Sequence, residues 1–131
     1  MAGTADEMWQ ADVASRRLGI ELEQLGRGSA RMRMPVEDWM LNGHGICHGG
    51  LVFALADTAF ALACNSGDDA AVAAACDVVF VEPARRGDVL VADAEERTRF
   101  GRSGIYDVTV RRADGSVVAE FRGHSRIVAR A

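Results

Sequence analysis

The spacing of apolar and polar residues predicts a short helix followed by two strands. Residues 5–18 repeat apolar positions at a loosely helical spacing, which predicts a leading helix. Residues 20–24 and 29–36 are predicted to be strands, and in the second strand apolar side chains alternate with arginines, so one face should be buried. Residues 38–47 are rich in glycine, which predicts a loop without regular structure.

The longest apolar stretch covers residues 49–64 and contains a single charge, Asp57. It begins with Gly49 and Gly50, and its composition predicts a helix that is apolar on every side. Such a helix has to be enclosed by protein or by lipid. A membrane span needs about 20 apolar residues, whereas this run is shorter and has a carboxylate at its middle, so enclosure by protein is favoured.

The second half of the chain has a strand-like pattern from Ala71 onward. The predicted strands are, in order, residues 78–81, 88–99, 103–111 and 116–128. Asp114 and Gly115, flanked by alternating apolar and polar residues, form the strongest hairpin signal in the chain. Short connections predict a meander. The fold class is therefore α+β, with one antiparallel sheet around one buried helix, and residues 1–131 are expected to form a single domain.

Composition and charge narrow the possible functions. The formal net charge is −4, and the 15 basic residues are scattered arginines, so nucleic acid is not an expected partner. The absence of lysine excludes Schiff-base chemistry and Walker-type phosphate loops. The first ten residues do not resemble a secretory signal, which favours a cytoplasmic protein. The three cysteines, Cys47, Cys64 and Cys76, lack metal-binding spacing and are expected to be buried free thiols.

Asp57 is the main candidate for chemistry. An ionised carboxylate in an apolar helix costs several kcal/mol unless it is paired, hydrated or used. Its side chain could simply leave the core and bond a neighbouring backbone group or Thr58. The alternative is a carboxylate at a cleft that serves as general base or nucleophile.

The helix start at Gly49 is the second candidate. Its first backbone N–H groups lack partners within the helix and are unshielded by side chains, so they could bind a developing oxyanion. Two glycines could also merely allow close packing on the sheet. Asp57 lies eight residues further on, roughly 12 Å at 1.5 Å per residue, so one reacting carbonyl carbon cannot touch both groups. If two antiparallel helices cross a two-fold axis, Asp57 of one chain approaches Gly49 of the other.

Two histidines, His44 and His48, have a metal-like spacing, but the glycines beside His44 argue against one helix carrying both, so no metal is expected. His48 is expected to cap or shape the helix start, and Asn42 to orient a water or a carbonyl group. Arginines follow the buried helix at several positions and are mostly expected to be solvated, although one or two could hold phosphate groups. These are Arg85, Arg86, Arg97, Arg99 and Arg102.

Two motifs carry a resemblance to a known family. The stretch LNGHGICHGG at residues 41–50, followed by LADTAFA at residues 55–61, resembles the signature of hotdog-fold thioesterases. The likeness is greatest to the phenylacetic-acid-degradation thioesterases of the PaaI family. Later stretches with the same likeness are FVEP at 80–83, GIYD at 104–107 and FRG at 121–123.

The resemblance implies a helix wrapped by a sheet, dimers that share a continuous sheet, and tetramers of those dimers. It implies hydrolysis of acyl-CoA esters, with phenylacetyl-CoA and its hydroxylated forms as substrates and without a separate cofactor. The carried-over roles are the catalytic carboxylate for Asp57, the backbone donor to the thioester carbonyl for Gly49, support for His48 and Asn42, and assistance for Thr58. The candidate CoA contacts are Arg97, Arg102 and Ser103.

Three alternatives remain open at this point. A medium-chain fatty acyl-CoA thioesterase would differ only in the shape of its pocket. A non-catalytic module that senses acyl-CoA would not need a carboxylate at Asp57, and no DNA-binding domain is apparent. A hotdog dehydratase would need a histidine paired with the acid, for which His48 is the nearby candidate.

Overall fold

A computed structural model describes residues 4–130 of the chain. Two short helices, α1 (Thr4–Ala11) and α2 (Val13–Arg17), precede strands β1 (Glu21–Gly26) and β2 (Ser29–Pro35). A 3-10 turn, Asp38–Met40, leads into the long helix α3 (Gly49–Cys64). Four strands complete the chain: β3 (Ala70–Phe80), β4 (Val89–Phe100), β5 (Ser103–Arg111) and β6 (Val117–Ala129).

The strands form one antiparallel six-stranded sheet in the order β1-β2-β4-β5-β6-β3. Helix α3 packs across its inner face and contacts all six strands. Side chains alternate between the two faces of the sheet, and the apolar ones form this inner face. In β2 they are Ala30, Met32 and Met34, which are buried as predicted. The predicted α+β arrangement of a sheet around a buried helix is confirmed.

A glycine on β6 allows helix α3 to pack close to the sheet. Phe60 of α3 is fully buried and its ring packs against Tyr106 and Phe121, with centroid distances of 5.6 and 5.8 Å. A Cβ atom on Gly123 would lie 2.7 Å from that ring. Glycine at this position of β6 therefore makes room for the largest side chain of the central helix.

Three predicted boundaries were wrong. The leading helix is two helices, because Asp12 leaves helical geometry and caps α2 by accepting a hydrogen bond from the Ser15 N–H. The strand predicted at residues 78–81 begins eight residues earlier, at Ala70, in an alanine-rich run whose low strand propensity hid it. The loop contains the 3-10 turn. The hairpin at Asp114 and Gly115 is confirmed, with Gly115 at φ +90°.

Within residues 4–130, no helix is long and apolar enough to cross a membrane.

Candidate active site

The start of α3 has the capped geometry that the sequence predicts. His48 is the N-cap, and its Nδ1 accepts a hydrogen bond of 3.0 Å from the Gly50 N–H. The next two amides, of Leu51 and Val52, donate to the His48 carbonyl. In the described part of the chain the Gly49 N–H has no acceptor. The first amide of the helix is thus a donor available to a ligand.

Phe80, which sequence reasoning missed, forms a wall beside that amide. It is the last residue of β3, its side chain is half exposed, and its ring lies 3.1 Å from where a Cβ on Gly49 would be. Any larger residue at position 49 would have to displace the ring. The only sequence signal for Phe80 is an aromatic residue directly before a Val-Glu-Pro stretch that ends a predicted strand.

The loop before α3 is organised by Asn42. Its Oδ1 accepts hydrogen bonds from the backbone N–H groups of His44 and Ile46, at 2.9 and 3.3 Å. Gly45 adopts φ +75°, a left-handed conformation that suits glycine. The Asn42 amide nitrogen has no acceptor among residues 4–130, and the side chain lines the pocket next to Gly49. Asn42 therefore shapes the loop through its oxygen and leaves its NH₂ group for a ligand.

The pocket beside Gly49 has a volume of about 400 Å³ and mostly apolar walls. Its lining residues are Asn42, Ile46, Cys47, Gly49, Val52, Phe80, Val81, Glu82, Pro83, Ala84 and Val118. Asp57 is absent from this set, because it lies two turns further along α3. The helix thus has a donor with an apolar pocket at one end and a carboxylate near its middle.

Asp57 is half buried, and no hydrogen bond or ion pair to it occurs within residues 4–130. Burial raises the pKa of its carboxyl group, and the nearby negative charge of Asp12 raises it further. It lies on a half-exposed stripe of α3 together with Phe53, Ala54, Ala61 and Cys64. A carboxylate on such a stripe, with a raised pKa and without a cation, has the properties of a general base.

Thr58 lies away from the pocket at Gly49. Its hydroxyl lies 2.9 Å from both the Ala54 carbonyl oxygen and the Ser15 hydroxyl oxygen, and the side chain is buried. The single proton of the Thr58 hydroxyl is therefore donated within its own helix or to α2, and Thr58 does not line the pocket at Gly49.

The structure separates the candidate CoA contacts from Gly49. Arg97 lies on the outer face of the sheet, where it pairs with Asp107 at 3.4 Å. Arg102 and Ser103 lie at the β4–β5 turn. Strand pairing puts Phe80, next to Gly49, level with Val110 on β5. Ser103 is seven residues away from Val110, roughly 23 Å at 3.3 Å per residue. Within one chain Arg102 and Ser103 therefore lie at the opposite end of the strands from Gly49.

The cysteines are free thiols, as predicted: Cys47 is buried and the other two are half buried. Burial raises the pKa of the Cys47 thiol and raises that of Cys64 to about 12. Neither thiol is therefore an activated nucleophile. His44 is exposed, and the Nδ1 atom of His48 is occupied by the cap. Within residues 4–130 no cluster of histidine, cysteine and acidic residues is arranged to hold a metal ion.

The chain is similar to known proteins over most of its length. The sequence profile of the thioesterase superfamily matches residues 44–119. The chain is 45% identical over 121 residues to the acyl-coenzyme A thioesterase PaaI of Escherichia coli, an alignment that covers 92% of this chain and 86% of the relative.

Solved structures are similar over the same range. The structure of the E. coli PaaI protein from the phenylacetic acid degradation operon matches with a TM-score of 0.94 and 42% identity, covering 97% of this chain and 92% of the other. The TT0310 protein of Thermus thermophilus matches with a TM-score of 0.84 and 36% identity, covering 88% and 97%.

The chain belongs to the thioesterase superfamily and has its hotdog fold, a sheet wrapped around one helix. Among these proteins it groups with the PaaI thioesterases, and it is an acyl-CoA thioesterase. The resemblance seen in the two sequence motifs is thereby confirmed. The sensing module and the dehydratase considered above are set aside.

Proposed function

We propose that the protein hydrolyses aryl-acyl-CoA thioesters, such as phenylacetyl-CoA and its hydroxylated forms, at a site shared by two subunits. The observation that carries this proposal is the separation along α3 of an amide, Gly49 N–H, from a carboxylate, Asp57, neither of which has a partner among residues 4–130. Eight residues of helix separate them by roughly 12 Å. A second copy of the chain brings a carboxylate to the amide if the two helices run antiparallel across a two-fold axis.

The edge strand β3 supports that assembly. It is 11 residues long, lies at one edge of the sheet, and exposes Val72, Val79 and Phe80. A long apolar edge is a template for pairing with another strand. Pairing of β3 with its copy would continue the sheet and bring the half-exposed stripes of the two α3 helices together. We extend this to a tetramer of two such dimers, as the family resemblance implies.

The chemistry follows from the two groups. The Gly49 N–H donates to the thioester carbonyl oxygen and stabilises the negative charge that develops on it. Asp57 of the partner subunit either removes a proton from a water that attacks the carbonyl carbon, or attacks the carbon itself to form an anhydride that water then hydrolyses. In both routes the carbon–sulfur bond breaks, the CoA thiolate leaves and takes up a proton, and the free acid remains.

The acyl preference rests on the walls of the pocket. Apolar side chains and the Phe80 ring surround the Gly49 amide, and aromatic rings pack favourably in offset or edge-on arrangements. A planar acyl group lying against Phe80 would use this wall better than a flexible chain, which loses more conformational freedom on binding. A medium-chain acyl group is the alternative occupant.

The CoA contacts also depend on the partner. Antiparallel pairing of two β3 strands would bring the partner subunit's β4–β5 turn towards the end of the sheet that carries Gly49. Arg102 and Ser103 are then the candidates for the CoA phosphates, since arginine suits phosphate geometry. Of the three candidate CoA contacts, Arg97 has the least support, because it is paired with Asp107 on the outer face of the sheet. A cytoplasmic location agrees with CoA as part of the substrate and stays a prediction.

The test is a comparison of kcat/KM for phenylacetyl-CoA, hydroxyphenylacetyl-CoA and octanoyl-CoA, with the release of free thiol as the readout. We expect the aryl esters to be preferred at least about tenfold, which corresponds to about 1.4 kcal/mol. A preference for octanoyl-CoA would reject the aryl assignment and leave the thioesterase assignment intact.

A further inference from the structure

We propose that Asp12, fixed in place by Ser15, is a positioning residue for the candidate catalytic carboxylate Asp57. The two N-terminal helices would then take part in hydrolysis although they lie outside the sheet and its central helix. This inference rests on the proposed function, because it assigns a role in the reaction that Asp57 is proposed to perform.

A chain of hydrogen bonds connects α2 to α3. Both oxygens of the Asp12 carboxylate accept from Ser15: Oδ1 from the backbone N–H at 2.9 Å and Oδ2 from the hydroxyl at 2.7 Å. The Ser15 hydroxyl lies 2.9 Å from the Thr58 hydroxyl, whose single proton can go either to Ser15 or to the Ala54 carbonyl, also at 2.9 Å. Because the Ser15 proton goes to Asp12, the helices are connected when Thr58 donates to the Ser15 oxygen. Ser15 and Thr58 are 5% and 9% exposed. The two hydroxyls are thus shielded from water and join residues 43 positions apart, whereas the Asp12 carboxylate is partly exposed.

Stability alone does not explain these polar groups. Replacing both partners of a buried hydrogen bond by apolar groups of the same shape is often nearly neutral, so an apolar contact between α2 and α3 could hold the helices equally well. What the hydroxyl pair adds is a fixed orientation, because hydrogen bonds are directional whereas apolar contacts are not. The orientation is imposed at Thr58, directly after Asp57 on the same helix, and it determines where the Asp12 carboxylate lies.

The Asp12 carboxylate is the charged group that acts on Asp57. Within residues 4–130 the charge of Asp12, at the start of α2, raises the pKa of Asp57, and the charge of Asp57 in turn raises the pKa of two thiols, Cys64 on the same helix and Cys76 on β3. Burial raises the pKa of both thiols, so both are neutral at physiological pH. Burial and then the charge of Asp12 raise the pKa of Asp57, and a carboxylate with a higher pKa is a stronger base. The N-terminal helices thus supply the anion that strengthens the base.

The test compares pH profiles of kcat/KM for the wild-type enzyme and three variants. Asp12→Asn keeps the size of the side chain and the capacity to cap α2 but removes the charge. Asp12→Ser keeps the cap with a different shape and serves if the first variant folds poorly. Asp6→Asn is the matched control, since it removes the same charge from an exposed position on α1.

We expect the acidic limb of the profile to move to lower pH in both Asp12 variants and to stay in place in Asp6→Asn. The wild-type and Asp12→Asn profiles should cross: the variant is faster on the acidic limb, where more of its Asp57 is ionised, and slower on the plateau, where the base is weaker. A loss of positioning alone would lower the rate at every pH. Ser15→Ala keeps the charge of Asp12 but removes the hydroxyl that holds its carboxylate in place. This variant should lower kcat roughly tenfold, within the range that misplacement of a catalytic group produces.

The outcomes separate this inference from the proposed function. If Asp57→Asn keeps near-normal turnover, the proposed role of Asp57 is wrong and the inference falls with it. If Asp57→Asn is inactive but the acidic limb of both Asp12 variants coincides with that of the wild type, the proposed function stands and the role of Asp12 is rejected.

Discussion

At the scale of single residues, Asp57 is a carboxylate that the fold does not neutralise. It is half buried in a helix whose other side chains are apolar or hydroxyl-bearing, and no arginine is paired with it in the described part of the chain. Such a group lowers the stability of the folded chain when it is ionised, and that cost is acceptable where the charge is used in a reaction. The same residue therefore gives one prediction about activity and one about stability.

Asp57→Asn should fold, bind CoA and lose at least about a hundredfold in kcat, the range typical of a lost general base. The amide has nearly the same shape but cannot accept a proton or attack a carbonyl carbon. Steady-state hydrolysis of phenylacetyl-CoA measures the loss, and binding of CoA by calorimetry shows that the site is otherwise intact. Asp68→Asn, an exposed change just after α3, is the control.

Asp57→Asn should also be more stable than the wild type at neutral pH. The pKa of Asp57 is higher in the folded than in the unfolded chain, so ionisation costs stability as pH rises through the window between the two values. The variant does not bear that cost. The difference in melting temperature should be positive at pH 7 and shrink as pH falls below the ordinary range of an aspartate. A variant that is less stable than the wild type at pH 7 would contradict the raised pKa.

At the scale of elements, Asn65 fastens the end of α3 to the start of β3. This residue is 1% exposed; its Nδ2 donates to the carbonyls of Ala61 and Ala71, and its Oδ1 accepts from the Ala71 N–H. These bonds fix where the edge strand begins relative to the helix. Because β3 carries Phe80 at its other end, the same bonds help to set the wall of the pocket.

Asn65→Ala should lower the free energy of unfolding by about 3 kcal/mol, since it leaves buried backbone groups without partners. Urea unfolding at a fixed protein concentration measures the change. Asp68→Ala, an exposed residue of the same turn, should stay within about 0.5 kcal/mol of the wild type. Equal stability of the two variants would show that water or other groups replace the Asn65 bonds.

Sequence patterns predicted the elements well where the signals are local. Both ends of α3 agree with the prediction, because a glycine pair opens the helix and Asn65-Ser66-Gly67 follows it. The division of the leading helix at Asp12 was missed, although aspartate is one of the preferred N-cap residues. The strand start at Ala70 was missed because alanine has a low strand propensity. This run of alanines forms a strand because it pairs with β6.

The candidate site was predictable where its geometry depends on residues close together in the sequence. Gly49, His48 and Asn42 act through neighbours within four residues, so the motif that contains them determines their geometry. The contact of Thr58 with Ser15 joins distant parts of the chain and depends on how α2 packs on α3. Pattern alone could not distinguish a hydroxyl directed to the pocket from one directed to another helix.

At the scale of the whole molecule, we propose that each chain holds one half of two different sites. Asp57 and Gly49 are separated by roughly 12 Å along α3, too far for one thioester carbon to contact both. An isologous dimer would form two equivalent sites, each with the amide of one subunit and the carboxylate of the other. Two inactive variants with different defects should therefore regain activity when they form mixed dimers.

The most direct measurement is activity after co-refolding of Asp57→Asn with Gly49→Pro. Proline is well tolerated at the first position of a helix and removes the N–H that the proposal assigns to the carbonyl. Gly49→Ala controls for crowding against Phe80, since it adds a Cβ and keeps the amide. Light scattering should give the same assembly for all variants.

Each variant alone should be nearly inactive. An equal mixture, unfolded and refolded together, should regain about a quarter of wild-type turnover per chain, because half of the dimers are mixed and each mixed dimer has one intact site. A mixture that forms mixed dimers and stays as inactive as its components would contradict the shared site.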